Sequence, residues 1–187
     1  MNTKTKKLST VSIVLCGMFA ALVAIGAFIQ IPVPYMDYFT LQFFFVLLVG
    51  LILGADKGAI SVGCYVLLGL VGVPIFAAGG GIGYIFRPSF GYLVGFIVSA
   101  YVTGKVCEKL KASYKNYLLA CLAGFVVTYA IGIVYKFIIL NFYAHTPATL
   151  GVIFLSCFPL DMPGDFVLCL LAAGVGLRMR KSGFYLS

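Results

Sequence analysis

Residues 74–95 read PIFAAGGGIGYIFRPSFGYLVG. A proline, three consecutive glycines (Gly79, Gly80, Gly81) and the pair Arg87-Pro88 interrupt the apolar sequence here. Proline ends a helix. Glycine reaches positive φ without steric cost and lets backbone come close to a ligand. The apolar runs on either side are therefore separate helices, and about 74–90 is a loop between them. An arginine at the edge of so apolar a chain needs a physical reason. The expectation is a lid over a small-molecule site, forming part of its wall.

The bulk composition supports a membrane setting. Hydrophobic residues are 63% of the 187, charged residues only 10%, and the mean hydropathy is +1.12. An ordinary soluble domain carries about 25% charge. One polytopic membrane domain over 1–187, with no attached soluble domain, is the expected organisation. The net charge of +8 does not point to nucleic acid, because the basic residues sit in short segments between apolar runs. The N-terminal lysines and the apolar run behind them resemble a signal peptide, but the run is long and lacks a small-residue cleavage site. It reads as a retained first helix.

A crossing helix needs about 20 apolar residues. The runs are Leu8–Ile31, ended by Pro32-Val33-Pro34; a short one near Thr40–Leu53, closed by a polar turn Gly54-Ala55-Asp56-Lys57; Gly58–Val73; Phe90–Val106; Tyr117–Tyr143; and Pro163–Leu177. The segment Lys105–Asn116 is charged and helix-compatible. An irregular outer connection, about 144–162, precedes the last run. The expected fold is all-α, with six transmembrane helices and both termini cytoplasmic.

Basic residues test that topology, since cytoplasmic loops are enriched in Lys and Arg. With the N-terminus inside, the inner segments hold Lys4, Lys6, Lys7, Lys57, Lys105, Lys109, Lys111, Lys115, Arg178, Arg180 and Lys181, eleven of the thirteen. The exceptions are Arg87 and Lys136. Asp56 and Glu108 fall inside, while Asp37, Asp161 and Asp165 fall outside. Every charge that topology leaves unexplained thus lies toward the outer face.

The first run holds Gly17, Ala20, Ala21 and Ala24, and the fourth holds Gly91, Gly95, Ser99 and Thr103. Small residues four apart allow a second helix to approach closely. In the fourth run the expected use is internal packing. In the first run internal packing and a partner protein are both open. The six cysteines have no CxxC or Cys/His pairing and read as small apolar residues. His145 stands in a polar turn without a partner motif. No internal repeat is evident.

Three charged residues are candidates for binding. Arg87 either snorkels to lipid headgroups or receives an anion, since a guanidinium takes a carboxylate through two parallel hydrogen bonds. An ionisable residue inside a span costs about 2.5–3.5 kcal/mol on insertion scales and less near the interface, and Lys136 lies deep in the fifth run but in its outer part. It either snorkels, supplies a second cation for an anionic substrate, or pairs with Asp165. Asp161 and Asp165 either cap the last helix or, for Asp165, accept from ligand N–H groups. Tyr84, Tyr92, Phe76, Phe86, Phe43 and Gln42 are candidates for an apolar wall with a few polar groups. The chain has no HExxH, GxSxG or Walker A motif, and its GGGIG run lacks the strand-to-helix setting of a dinucleotide loop. No enzyme activity, metal or cofactor is expected, and any energy must come from a partner or an ion gradient.

Three stretches, IPVPYMDYFTLQFFFVLLVGLILG, GLVGVPIFAAGGGIGYIFRPSFGYLVGF and FPLDMPGDFVLC, resemble the BioY family, the biotin-binding S components of energy-coupling factor (ECF) transporters. The resemblance runs in order over about residues 8–180. It implies a six-helix vitamin-binding subunit of the cell membrane, with an outer pocket covered by loops. It also implies docking through helix one, here Ala20 and Ala24 with Gly17 and Ala21, onto a transmembrane coupling subunit served by two ATPases that use the ATP. Asp165 would face the ureido ring of biotin, and Arg87 its carboxylate. The remaining substrate-binding candidates are Lys136, Tyr84, Gln42, Gly79, Gly80, Phe76 and Tyr92. One departure is Leu168, where many members carry a lysine; Lys136 or Arg87 would then supply the cation from another element. The alternatives are an S component for a different vitamin, or a solitary gradient-driven biotin transporter.

Overall fold

Ser9 starts the first helix, α1 (Thr10–Phe28), by accepting from the Ser12 N–H at 3.2 Å, which satisfies one of the orphan donors of a first turn. The computed structural model describes residues 9–31, 39–144, 146–157 and 161–183. Lys4, Lys6, Lys7, Pro32-Val33-Pro34, Asp37 and His145 lie outside the described residues. After α1 comes a short antiparallel pair, β1 (Gln30–Ile31) and β2 (Phe39–Thr40), with Gln30 opposite Thr40. The helices α2 (Gln42–Leu53), α3 (Ala55–Val71), α4 (Phe90–Lys109), α5 (Tyr114–Ile138), α6 (Leu150–Cys157) and α7 (Asp161–Lys181) follow.

The structure adds to the expected runs at three places. Besides six helices that follow those runs in order, the described residues form a seventh. The additional one, α6, lies in the connection after α5 and at 8 residues is far too short to cross a bilayer. The polar turn Gly54-Ala55-Asp56-Lys57 is a break at one residue. Gly54 takes φ 79, a conformation glycine adopts without strain. Ala55, Asp56 and Lys57 already belong to α3, and the Ala55 N–H donates to Glu108 Oε1 at 2.8 Å. Finally, α5 does not run on to Tyr143 as a regular helix, because Ile139–Tyr143 forms a π-turn.

Among the described residues, four helices (α1, α4, α7, and α5 with its π-turn) are long and apolar enough to cross a membrane. The shorter α2 is apolar all round and almost wholly buried, as expected of a helix enclosed on every side. It packs against α1, α3, α4 and α7. With 12 residues it is about 18 Å long, against about 37 Å for the 25 residues of α5. The central helix is thus about half the length of its neighbour, and its N-terminal residues, Gln42 and Phe43, line a cavity at one end of the bundle. Lys109, Arg178, Arg180 and Lys181 sit at the opposite ends of their helices.

Candidate binding cavity

The stretch 74–89 folds back onto the end of α3. Gly72 closes that helix at φ 117, as left-handed glycine caps do. Phe76 and Gly79 exchange backbone hydrogen bonds at 2.8 and 3.1 Å, and the Gly81 N–H donates to the Gly69 carbonyl at 2.7 Å. A Cβ on Gly69 would run into the Phe76 ring, and one on Gly80 into the Val73 carbonyl. The loop is tied on two other sides. Gln30 Nε2 donates to the Ala77 carbonyl at 2.7 Å, and Tyr135 on α5 donates to the Ile85 carbonyl. A 3-10 turn, Ile82–Phe86, then delivers Arg87.

The cavity holds about 920 Å³ of space between its lining atoms, counting the open mouth and the solvent in it. Its charged lining residues are Arg87, Lys136, Asp161 and Asp165. Each wall follows helical spacing. On α4, Ser89 precedes the helix and Tyr92, Leu93 and Phe96 follow at three, four and seven positions, one face of a helix. On α7, Asp161 and Asp165 are four apart. On α5, Tyr129 and Lys136 are seven apart, about two turns.

The residues that sequence reading singled out divide into two groups. Asp165, Arg87, Lys136, Tyr84, Gln42 and Tyr92 share the lining, as does Phe43. Phe76, Gly79 and Gly80 are not among the lining residues. Phe76 is 1% exposed and packed between Tyr65 and Tyr84, at ring separations of 5.5 and 4.6 Å. Gly79 and Gly80 shape the turn behind Ala77 and Ala78, which do face the cavity. Phe86 stacks on Tyr143 at 4.8 Å, joining the loop to the π-turn.

Asp165 is not a simple helix cap, because its Oδ2 accepts from the Tyr129 hydroxyl at 2.8 Å. Tyr129 escaped sequence reading among twelve tyrosines. The available signal was its position two turns before Lys136. Tyr129 also meets Tyr92 at 5.8 Å and Phe125 at 4.7 Å, while Phe43 stacks on Phe96 at 5.8 Å. These rings make an apolar wall beside the carboxylate. Arg87 lies with its Cζ 5.3 Å from the Tyr84 ring centroid, a cation–π distance. Gly164 has a steric purpose, since a Cβ there would collide with Phe39, whose ring lines the cavity.

Helices fit to cross a bilayer, with a cavity lined by charged and aromatic residues at one end, define a membrane protein of small-molecule-binding type. The BioY family model matches residues 1–183, and the chain belongs to that family of transporters. It is 39% identical over 177 residues to the "Probable biotin transporter BioY" of Lysinibacillus sphaericus, covering 94% of this chain and 90% of that one. It is 39% identical over 169 residues to the "Biotin transporter BioY" of Thermotoga maritima, covering 88% and 93%. The fold resembles a crystal structure of the S-component for biotin from an ECF-type ABC transporter. There the TM-score is 0.82 at 24% identity, over 99% of this chain and 97% of that one.

Proposed function

We propose that this chain is the biotin-binding S component of an ECF-type importer in the plasma membrane. It captures the vitamin from outside and releases it inward when a transmembrane coupling subunit and two ATPases act on it. In this reading α1, α2, α3, α4, α5 and α7 cross the membrane, both ends of the chain are cytoplasmic, and the cavity opens outward. The distribution of basic residues supports that orientation: Lys105, Lys109, Lys111, Lys115, Arg178 and Arg180 lie at the end remote from the cavity.

The observation that carries the substrate assignment is that the cavity lining combines both signs of charge with aromatic rings. Asp165, held by Tyr129, shares one lining with Asp161, with two cations, Arg87 and Lys136, and with several aromatic rings. Biotin has matching parts. Its two ureido N–H groups suit the carboxylate, its thiophane ring the aromatic wall, and its own carboxylate a cation. The relatives' names point the same way.

The test is equilibrium biotin binding by the purified chain without ATP, with thiamine and riboflavin as competitors. Saturable binding that only biotin displaces is the expected result. Binding of another vitamin in place of biotin would keep the fold and discard the substrate. Asp165→Asn should weaken biotin binding by about tenfold or more, because a hydrogen bond to a charged group contributes roughly 1.5–3 kcal/mol. Unchanged affinity would remove Asp165 from the site.

A further inference from the structure

Arg87 and Lys136 are the two basic residues among those lining the cavity, and their surroundings differ. Arg87 is exposed on the loop side, with its guanidinium over the Tyr84 ring. Lys136 is half-buried within α5. Among the described residues its ammonium has no hydrogen-bond or ion-pair partner. A lysine in the last turn of an apolar span, lining a cavity and without an ion pair, is poised for an anion that arrives with the ligand. A ligand carboxylate beside the ammonium offsets the cost of removing it from water, so the interaction favours binding of an anion over a neutral analogue.

The spacing along α5 adds a second constraint. Seven residues of helix separate Lys136 from Tyr129, a rise of about 10 Å, and Tyr129 holds Asp165. The donor-recognising end and the cation are thus set apart on one rigid element, with Lys136 the nearer to the π-turn. A ring system with N–H donors at one end and an acid tail at the other fits between them.

We propose that Lys136 is the specificity-determining residue that selects the acid form of the ligand over neutral derivatives. This rests on the biotin reading above. The test compares biotin with biotinamide, which keeps the rings and tail but ends in a neutral group. Wild type should prefer biotin by about ten- to a hundredfold, as expected for a charge-assisted hydrogen bond. In Lys136→Met that ratio should fall to near one, with melting temperature confirming the fold, and Lys136→Arg should restore part of it. A preserved ratio in Lys136→Met, lost instead in Arg87→Gln, would overturn the assignment. So would equal losses for both ligands, which would make Lys136 structural. A wild type indifferent between the two overturns the selection while leaving biotin as substrate. A wild type that binds neither overturns the substrate reading itself.

Discussion

Helices α1 and α4 carry the same signature of small residues four apart, and the fold uses the two series differently. On α4 the series faces α5. A Cβ on Gly91 would enter the Tyr135 side chain, and one on Gly95 would stand 3.0 Å from the Thr128 carbonyl oxygen. Ser99 and Thr103 continue that buried face at 0% exposure. On α1 the series is split. Ala20 is 7% exposed and belongs to the core, Ala24 is half-buried, and Gly17 and Ala21 face outward. A Cβ on Gly17 would meet nothing within 4 Å. Exposed Val14, Met18 and Ile25 surround that outward strip. A small-residue pattern therefore records how closely something approaches, not whether the neighbour is the same chain. The proposed docking surface narrows accordingly to Gly17 and Ala21, because Ala20 is already occupied by packing within the chain.

Gly95→Leu tests the internal series most severely. The added side chain meets backbone, which cannot rotate away, so a loss of about 3 kcal/mol or more is expected. A thermal unfolding scan in detergent should show no cooperative transition; a near-normal melting temperature would mean α4 and α5 are not in contact there. Ala20→Leu should cost about 1–3 kcal/mol by overpacking and lower the melting temperature. If stability is unchanged while assembly with the coupling subunit fails, Ala20 belongs to the outer surface after all. Gly132→Ala probes the α4–α5 seam at the cavity, since its Cβ would press on the Tyr92 ring, 2.5 Å from Cδ1. A several-fold loss of biotin affinity with about 1 kcal/mol of destabilisation is expected, and displacement titration would detect it. The smallest effect on the isolated protein belongs to Gly17→Leu with Ala21→Leu. Stability should stay within about 0.5 kcal/mol and biotin affinity within about twofold, while ATP-driven uptake by the assembled transporter is lost. Unimpaired uptake would move docking away from this strip.

Much of the fold is legible because most of the apolar runs end in chemistry that stops a helix. Gly72 and Pro74 end α3, and Ser113 caps α5 by accepting from the Asn116 N–H at 3.3 Å. Less legible was the region after α5. Its π-turn and the short helix α6 arise in sequence as apolar as the spans themselves, so composition gave no boundary. The break at residue 54 is narrower than its composition implies, for the opposite reason: Asp56 and Lys57 look like a loop, yet an acidic residue in a first turn suits a helix N-terminus. In the cavity, charged residues stood out because few charges exist in this chain. Tyr129 and Phe39 did not, because aromatics are common here and only facing neighbours distinguish them.

Composition and the order of the runs alone determined that this is a helical membrane protein, because apolar surroundings force every backbone group into internal hydrogen bonds. They also determined that Arg87, Lys136 and Asp165 have no explanation in topology. Tertiary structure alone decided that these three line one cavity, that Tyr129 holds the carboxylate, and that Phe76, Gly79 and Gly80 stand behind the wall. The physical reason is rotational register. A helix spreads its side chains around a full circle, and which of them face a common space depends on how neighbouring helices pack. Residues such as Gly95, Gly132 and Gly164 fix that packing through the side chains they lack.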